Sequence, residues 1–326
     1  MFICRQVSPD FTDKLWQILA LFFNQVSLKL INMRLLCIMN PTSGKTGNDE
    51  AVAYLQEISK EKGIELNMLH TTGEDDDSLI QQEIKSFKPD RVAACGGDGT
   101  VQLVARNLIH SDIPMGILPL GSANGLATAI GLPKNFREAT DLIVSTTYFL
   151  PLDLLIINDK YLCTHLSDIG TNALLVKNYE EAGDKGMWGY AKHLISSIQQ
   201  SDLMHYKITT PEETHYKEGY MLMIANAHKY GTGVQISEGS VSDGMFEICN
   251  VQKIDLESAI KVGLTAINIF IDKNMFTDVI TCKEATISIE PQAHLQIDGE
   301  YIGEVSEMKI KIMSSAIKVL VSNEGR

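Results

Sequence analysis

From Arg34 onward, short apolar runs alternate with longer stretches whose apolar residues recur three or four apart. The run Arg34–Met39 ends in Asn-Pro and predicts a buried strand followed by a turn. In Asn48–Lys62, Val52, Leu55 and Ile58 share one helical face, and Gly63 stops the helix because glycine accepts the backbone conformation of a helix end. A strand over Ile64–His70, a helix over Ser78–Phe87, a buried strand over Val92–Cys95 and a helix over Thr100–Ile109 follow. A strand at Met115–Leu118 and a helix at Ser122–Ile130 complete the series. Strands that alternate with helices imply a parallel sheet, because each crossover lays a helix on one of its faces.

Past about residue 150 the pattern changes to short apolar or alternating runs. These are Leu152–Ile157, Tyr161–Leu166, Tyr220–Ala227, Phe246–Val251, Ala285–Ile289, His294–Ile297 and Met308–Ile312. Turn pairs such as Asn158-Asp159, Asp243-Gly244 and Asp298-Gly299 separate many of them. The expectation is a strand-rich second domain, a sandwich, interrupted by helices over Trp188–Gln199 and Leu256–Ile271, with a soft boundary near Pro151.

Length agrees with two domains: 326 residues exceed one small core, and 44% hydrophobic with 21% charged residues is ordinary for a globular chain. A net charge of −13 argues against a general nucleic-acid binder and against loose electrostatic adhesion to anionic membranes. Any membrane contact then needs a local apolar or basic patch. The six cysteines are scattered, form no CxxC pair and in several cases sit inside apolar runs, which reads as reduced, buried thiols in a reducing compartment. Residues 1–32 stand apart. Leu15–Ile31 is apolar, but Gln17, Asn24, Gln25, Ser27 and Lys29 break it, and it lacks a small-residue cleavage site. An amphipathic extension lying on a membrane or on the protein is one reading; an over-long gene start ahead of Met33 is the other.

Three loops carry the candidate chemistry. Cys95-Gly96-Gly97-Asp98-Gly99-Thr100 follows a buried strand and precedes a helix. Its glycines let backbone approach a ligand closely, and the helix start offers unpaired N–H groups and a positive dipole end, which suit phosphate. Asp98 adds a carboxylate where a magnesium-bearing phosphate would lie. Asn40-Pro41-Thr42-Ser43-Gly44-Lys45 occupies the same kind of position but lacks the spacing of a Walker A loop. Gly116–Asn124 is the third such loop, with Ser122 and Asn124 at a helix start. Open α/β sheets bind ligands outside the carboxyl ends of their strands, where all three loops lie.

The set NPxSG, GGDGT and PLGSxN resembles the catalytic domain of the diacylglycerol kinase superfamily, over Met33 to Val321. That resemblance implies a Rossmann-like nucleotide domain, similar to those of NAD kinases and phosphofructokinases, followed by a β-sandwich. It divides the chain into an extension at 1–32, a nucleotide domain at 33–150, a lipid-substrate domain at 151–312 and a final strand at 313–326 returning to the first domain. It implies that Asn40, Pro41, Thr42, Thr71, Gly96, Gly97, Asp98, Gly99, Thr100 and Ser122 contact nucleotide. It assigns a general base to the DGE motif, Asp298 or Glu300, and a structural magnesium to the carboxylate of Asp243 with carbonyls of Ser240 and Met245.

The implied activity is ATP- and Mg2+-dependent phosphorylation of a lipid hydroxyl. Diacylglycerol is the first acceptor expected, with a sphingoid base or ceramide as alternative. An NAD kinase, which shares GGDGT, and a catalytically dead lipid-binding regulator are the rival readings. The implied setting is cytoplasmic, with peripheral contact at the inner face of the membrane; a homodimer is left open. Two departures from the family pattern stand out. Gly125 occupies a position where bacterial diacylglycerol kinases usually carry Asp, and the segment after Asp168 lacks the acidic residue that sphingosine kinases use to meet an amine.

Overall fold

The computed structural model describes residues 33–41, 48–182, 201–226, 240–252 and 276–323. The extension at 1–32, Thr42 and the helices expected at 188–199 and 256–271 lie outside them.

The first domain is a parallel sheet of β1 (Arg34–Met39), β2 (Glu65–His70), β3 (Arg91–Gly96) and β4 (Met115–Pro119), in the order β4-β3-β1-β2. It is crossed by α1 (Asn48–Glu61), α2 (Asp76–Phe87), α3 (Asp98–Asn107), α4 (Gly125–Ala129) and α5 (Phe136–Ser145). Both faces are covered. On one, Leu36 and Ile38 of β1 pack with Ile80 of α2 and Val101 and Val104 of α3; on the other, Leu35 and Cys37 pack with Ala51 and Leu55 of α1 and Ile143 of α5. Strands buried on both faces read as continuous apolar runs, as β1, β3 and β4 do, whereas β2 at the sheet edge is only half-buried and alternates.

The second domain contains β5 (Phe149–Ile157), β6 (Tyr161–Cys163), β7 (Leu166–Gly170), α6 (Thr171–Ala182), β8 (Met204–Thr209), β9 (Thr214–Gly219), β10 (Met221–Ala225), β11 (Phe246–Val251), β12 (Phe276–Cys282), β13 (Glu284–Ile297) and β14 (Glu300–Leu320). Its core is Leu155 and Ile157 of β5, Tyr206 and Ile208 of β8, Ile224 of β10 and Phe246 and Ile248 of β11, closed by the β13–β14 hairpin. Thus a mixed α/β sheet domain is followed by a β-sandwich.

The last strand differs from the short run expected at Met308–Ile312. β14 is 21 residues long, begins at the turn after Ile297 and ends beside β4, where Val319 pairs with Met115. Its pairing with β5 slips between Met313 and Ile317, where Ser315 adopts φ 49°. Asp153 of β5, fully buried, fills this irregularity: its carboxylate accepts the Ser315 N–H at 2.5 Å and the Gly244 N–H at 2.6 Å. One strand therefore runs from the Asp298-Gly299 turn of the second domain into the sheet of the first. The helix expected from Ser122 begins only at Gly125, because Asn124 takes a left-handed φ of 51° and spends its side chain on Gly121.

Candidate functional site

The carboxyl ends of β1, β2 and β3 open into one groove of about 470 Å³. Asn40 and Pro41 after β1, Thr71 and Thr72 after β2, and Gly99 and Thr100 at the start of α3 line it. Backbone hydrogen bonds hold these ends together: the Asn40 N–H donates to the Cys95 carbonyl at 3.4 Å and the Thr71 N–H to the Met39 carbonyl at 2.8 Å. Helix α3 starts at Asp98, two residues before the helix expected from sequence, since the Gly97 carbonyl already accepts the N–H groups of Thr100 and Val101. The N–H groups of the first turn point out of the helix, which is the arrangement that receives phosphate oxygens.

Close packing dictates two of the loop glycines. A Cβ on Gly96 would sit 2.3 Å from the Thr100 hydroxyl oxygen, and one on Gly121 would sit 2.4 Å from the Gly97 Cα. The loop at Gly96–Thr100 and the third loop thus touch backbone to backbone. Ser122 is exposed on the third loop beside Gly121 and, like Gly96, Gly97 and Asp98, is not among the residues lining the groove.

The second domain closes the groove with the turn between β13 and β14. Asp298 and Glu300 would share a face on a regular strand. They do not, because Asp298 at φ 50° and Gly299 at φ 90° form the turn itself. The Asp298 carboxylate points back into its own domain. One oxygen accepts the Thr164 N–H at 2.7 Å and the Thr164 hydroxyl at 3.0 Å. The other accepts the N–H groups of His165 at 2.9 Å and Leu166 at 3.1 Å. Gln102 of α3 reaches the first oxygen at 3.3 Å and also donates to the Leu162 carbonyl at 2.7 Å, tying the two domains across the turn. Glu300, by contrast, is exposed and lines the groove; a Cβ on Gly99 would lie 3.2 Å from its Oε1.

Asp98 lies behind the groove, where the Leu126 N–H donates to it at 3.3 Å. Burial pushes its carboxyl above the usual range, against the backbone N–H groups of Gly125 and Leu126 and the His165 charge, which favour the ion. His165 has no place in any motif read from the sequence. Burial lowers its pKa, while Asp298 and Asp98 oppose that shift. Its ring packs against Gly125, with Cδ2 3.2 Å from where a Cβ on that residue would stand. The side chain missing at position 125 is thus space taken by His165. Position 165 follows a strand and precedes another, so nothing local marked it.

The groups expected to hold a structural magnesium are turned onto their own loop. The two Asp243 oxygens accept the N–H groups of Ser240 at 2.7 Å and Met245 at 2.9 Å, and the Ser240 carbonyl accepts the Asp243 N–H at 3.2 Å. Each Asp243 oxygen thus meets one N–H of its own loop, and among the described residues there is no cluster of three or more His, Cys, Asp or Glu. Cys37, Cys95, Cys163, Cys249 and Cys282 are buried free thiols. Among the described residues no helix is long and apolar enough to cross a membrane.

An α/β domain whose strand ends face a helix N-terminus, joined to a β-sandwich that supplies a carboxylate across the groove, defines the class of protein. Comparison with known proteins places it further. Residues 34–153 match the diacylglycerol kinase catalytic domain, and residues 170–321 match the YegS C-terminal NAD kinase beta sandwich-like domain. The chain belongs to the diacylglycerol kinase catalytic-domain superfamily, a family of lipid kinases. It is 28% identical over 221 residues to a Klebsiella pneumoniae (strain 342) protein named "Probable lipid kinase YegS-like", covering 65% of this chain and 72% of that one. It is 23% identical over 277 residues to a Bacillus subtilis (strain 168) protein named "Diacylglycerol kinase", covering 82% and 89%. A crystal structure of a diacylglycerol kinase from Bacillus anthracis str. Sterne superposes with a TM-score of 0.64 at 19% identity, and one described as "a putative diacylglycerol kinase" from the same organism with 0.70 at 23%. Each covers 90% of this chain and 98% of the other and shows the shared fold.

Proposed function

We propose that this chain transfers the γ-phosphoryl group of magnesium-ATP to the hydroxyl of a membrane lipid, with diacylglycerol the first acceptor and phosphatidic acid the product. The observation that carries the reading is the position of Glu300. It is the carboxylate of the DGE turn that lines the same groove as Gly99 and Thr100, whereas Asp298 is committed to Thr164, His165 and Leu166. A general base must reach the proton it removes, so Glu300 takes that role and Asp298 holds the turn. The acceptor hydroxyl would sit between Glu300 and the α3 N-terminus. Its proton passes to the Glu300 carboxylate as its oxygen attacks the γ-phosphorus and the bond to the β–γ bridging oxygen breaks. The first-turn N–H groups of α3 stabilise charge on the phosphoryl oxygens, and phosphoryl transfer draws most of its acceleration from such positioning and charge stabilisation. The magnesium that accompanies ATP supplies further charge neutralisation.

The names of the relatives support a lipid acceptor; the choice among lipids rests on the family resemblance. Incubation with γ-labelled ATP and mixed micelles of diacylglycerol, sphingosine or ceramide, with NAD as a parallel soluble acceptor, tests the proposal. Label in a lipid product is expected. Label in NAD alone would overturn the lipid assignment, and no label in any acceptor, with no ATP-induced thermal shift, would favour a regulatory protein that has lost the reaction.

A further inference from the structure

We infer that Asp168 is a positioning residue for the base-bearing turn and acts through the side-chain amide of Gln296. The inference rests on the reading of the groove as the site of phosphoryl transfer. Asp168 lies in the middle of β7, where neighbouring strands place Met223 on one side and Gln296 on the other. It is 1% exposed and Gln296 2%. A carboxylate buried in a sheet interior carries a desolvation cost that apolar pairs in the same positions would avoid. Its neighbours show what it does there.

The Gln296 Nε2 donates to the Asp168 carboxylate, and the Gln296 Oε1 accepts the Gly299 N–H at 2.7 Å. A carboxylate only accepts hydrogen bonds, so it can be met only by the NH2 end of the Gln296 amide. That fixes which way the amide faces and turns its oxygen toward the chain ahead. Gly299 stands between Asp298 and Glu300 at φ 90°. Its N–H is one of the points at which the turn is held; others are the Asp298 N–H, which donates to the Leu166 carbonyl at 2.7 Å, and the Asp298 carboxylate on the N–H groups of 164–166. These anchors come from one stretch, Thr164 to Asp168, and the Ser167 hydroxyl adds a bond to the Gln296 carbonyl at 2.8 Å. Asp298 fixes where the turn sits. The Asp168–Gln296 pair fixes the tilt of the Gly299 peptide and hence the direction in which Glu300 leaves the strand. Neither residue lines the groove.

The test is an exchange of the two side-chain chemistries. In Asp168→Asn the partner no longer dictates the amide orientation, so the Gly299 amide should lose protection and kcat should fall about 10- to 100-fold, the size of effect that small misplacements of a reacting group produce. KM for ATP should not change. In the double variant Asp168→Asn with Gln296→Glu, the amide introduced at position 168 would donate to one oxygen of the carboxylate introduced at position 296, and the other oxygen would accept the Gly299 N–H. The site keeps one carboxylate, and both kcat and Gly299 protection should return toward the starting protein. The readouts are steady-state kinetics and hydrogen exchange at the Gly299 amide by 15N NMR. Asp168→Asn with unchanged kcat and unchanged Gly299 protection would overturn the inference, as would a double variant no better than Asp168→Asn alone. Hydrogen exchange needs no turnover. If the starting protein phosphorylates nothing but the exchange pattern follows the swap, the relay stands and the functional reading fails.

Discussion

Replacing Asp298 by Asn separates holding the turn from removing the proton. Asn tolerates the left-handed backbone almost as readily as Asp, so φ 50° adds little strain and the change reports the carboxylate alone. Four close donors face that carboxylate: the N–H groups of Thr164, His165 and Leu166 and the Thr164 hydroxyl. The less costly orientation keeps the Asn oxygen on His165 and Leu166 and turns its NH2 toward Thr164. The Thr164 hydroxyl can rotate to accept from that NH2, but the Thr164 N–H cannot and is left buried without an acceptor. That orphan costs about 1–3 kcal/mol, and two hydrogen bonds that lose their ionic acceptor weaken by roughly 1 kcal/mol each. The total of about 3–5 kcal/mol lies beyond the usual effect of a point substitution, and in a chain of 326 residues should lower the melting temperature by roughly 4–7 °C. Thermal melts by circular dichroism, read beside turnover, provide the assay. Asp298→Asn should lose both stability and turnover. Wild-type melting combined with abolished turnover would refute the reasoning and make Asp298 the base.

Three further outcomes follow from the same geometry. Gly121→Ala drives a Cβ to 2.4 Å from the Gly97 Cα, which no side-chain rotation relieves, so it should cost about 1–3 kcal/mol and abolish the thermal shift given by magnesium-ATP. Gly131→Ala, at φ 71° with nothing within 4 Å, should cost about 1–2 kcal/mol of backbone strain and leave that shift intact; equal loss of nucleotide binding in both would discount the loop contact. Burial raises the Asp98 carboxyl, so over the window between the ordinary carboxylate range and that raised value the folded chain binds more protons than the unfolded one. Its contribution to folding is therefore present at low pH and lost as pH rises through the folded value. Asp98→Asn should melt higher than wild type at neutral pH, with the gap closing toward acid, and bind magnesium-ATP more weakly; melts across that range that show no gap would contradict this.

Much of the fold was legible because its patterns are local. Strand, glycine-rich loop and helix follow one another within the stretch Arg91 to Asn107 at β3 and α3, and the doubly buried strands show as unbroken apolar runs. Other parts were hidden for identifiable reasons. β14 read as a short strand because Ser314 and Ser315 break its apolar run, yet the buried Asp153 on β5 stitches the break by accepting the Ser315 N–H. The choice between Asp298 and Glu300 was closed to sequence, since the motif spacing places both on one face only if the backbone stays extended. The positive φ values of Asp298 and Gly299 send the two carboxylates apart, and the distant segment 164–166 shows where that of Asp298 is held. Gly125 looked like a missing carboxylate; its partner, His165, lies forty residues away in the chain and becomes visible only as the ring packed against it.

The central claim, that Glu300 is the base of a lipid kinase whose nucleotide sits on the α3 N-terminus, is tested most directly by single-turnover transfer from γ-labelled ATP to diacylglycerol in Glu300→Gln, with ATP affinity measured on the same sample. The account predicts transfer slowed by about 10²- to 10⁴-fold, the contribution of a positioned general base, with the melting temperature and ATP affinity of the starting protein. Transfer at the unmodified rate would contradict it.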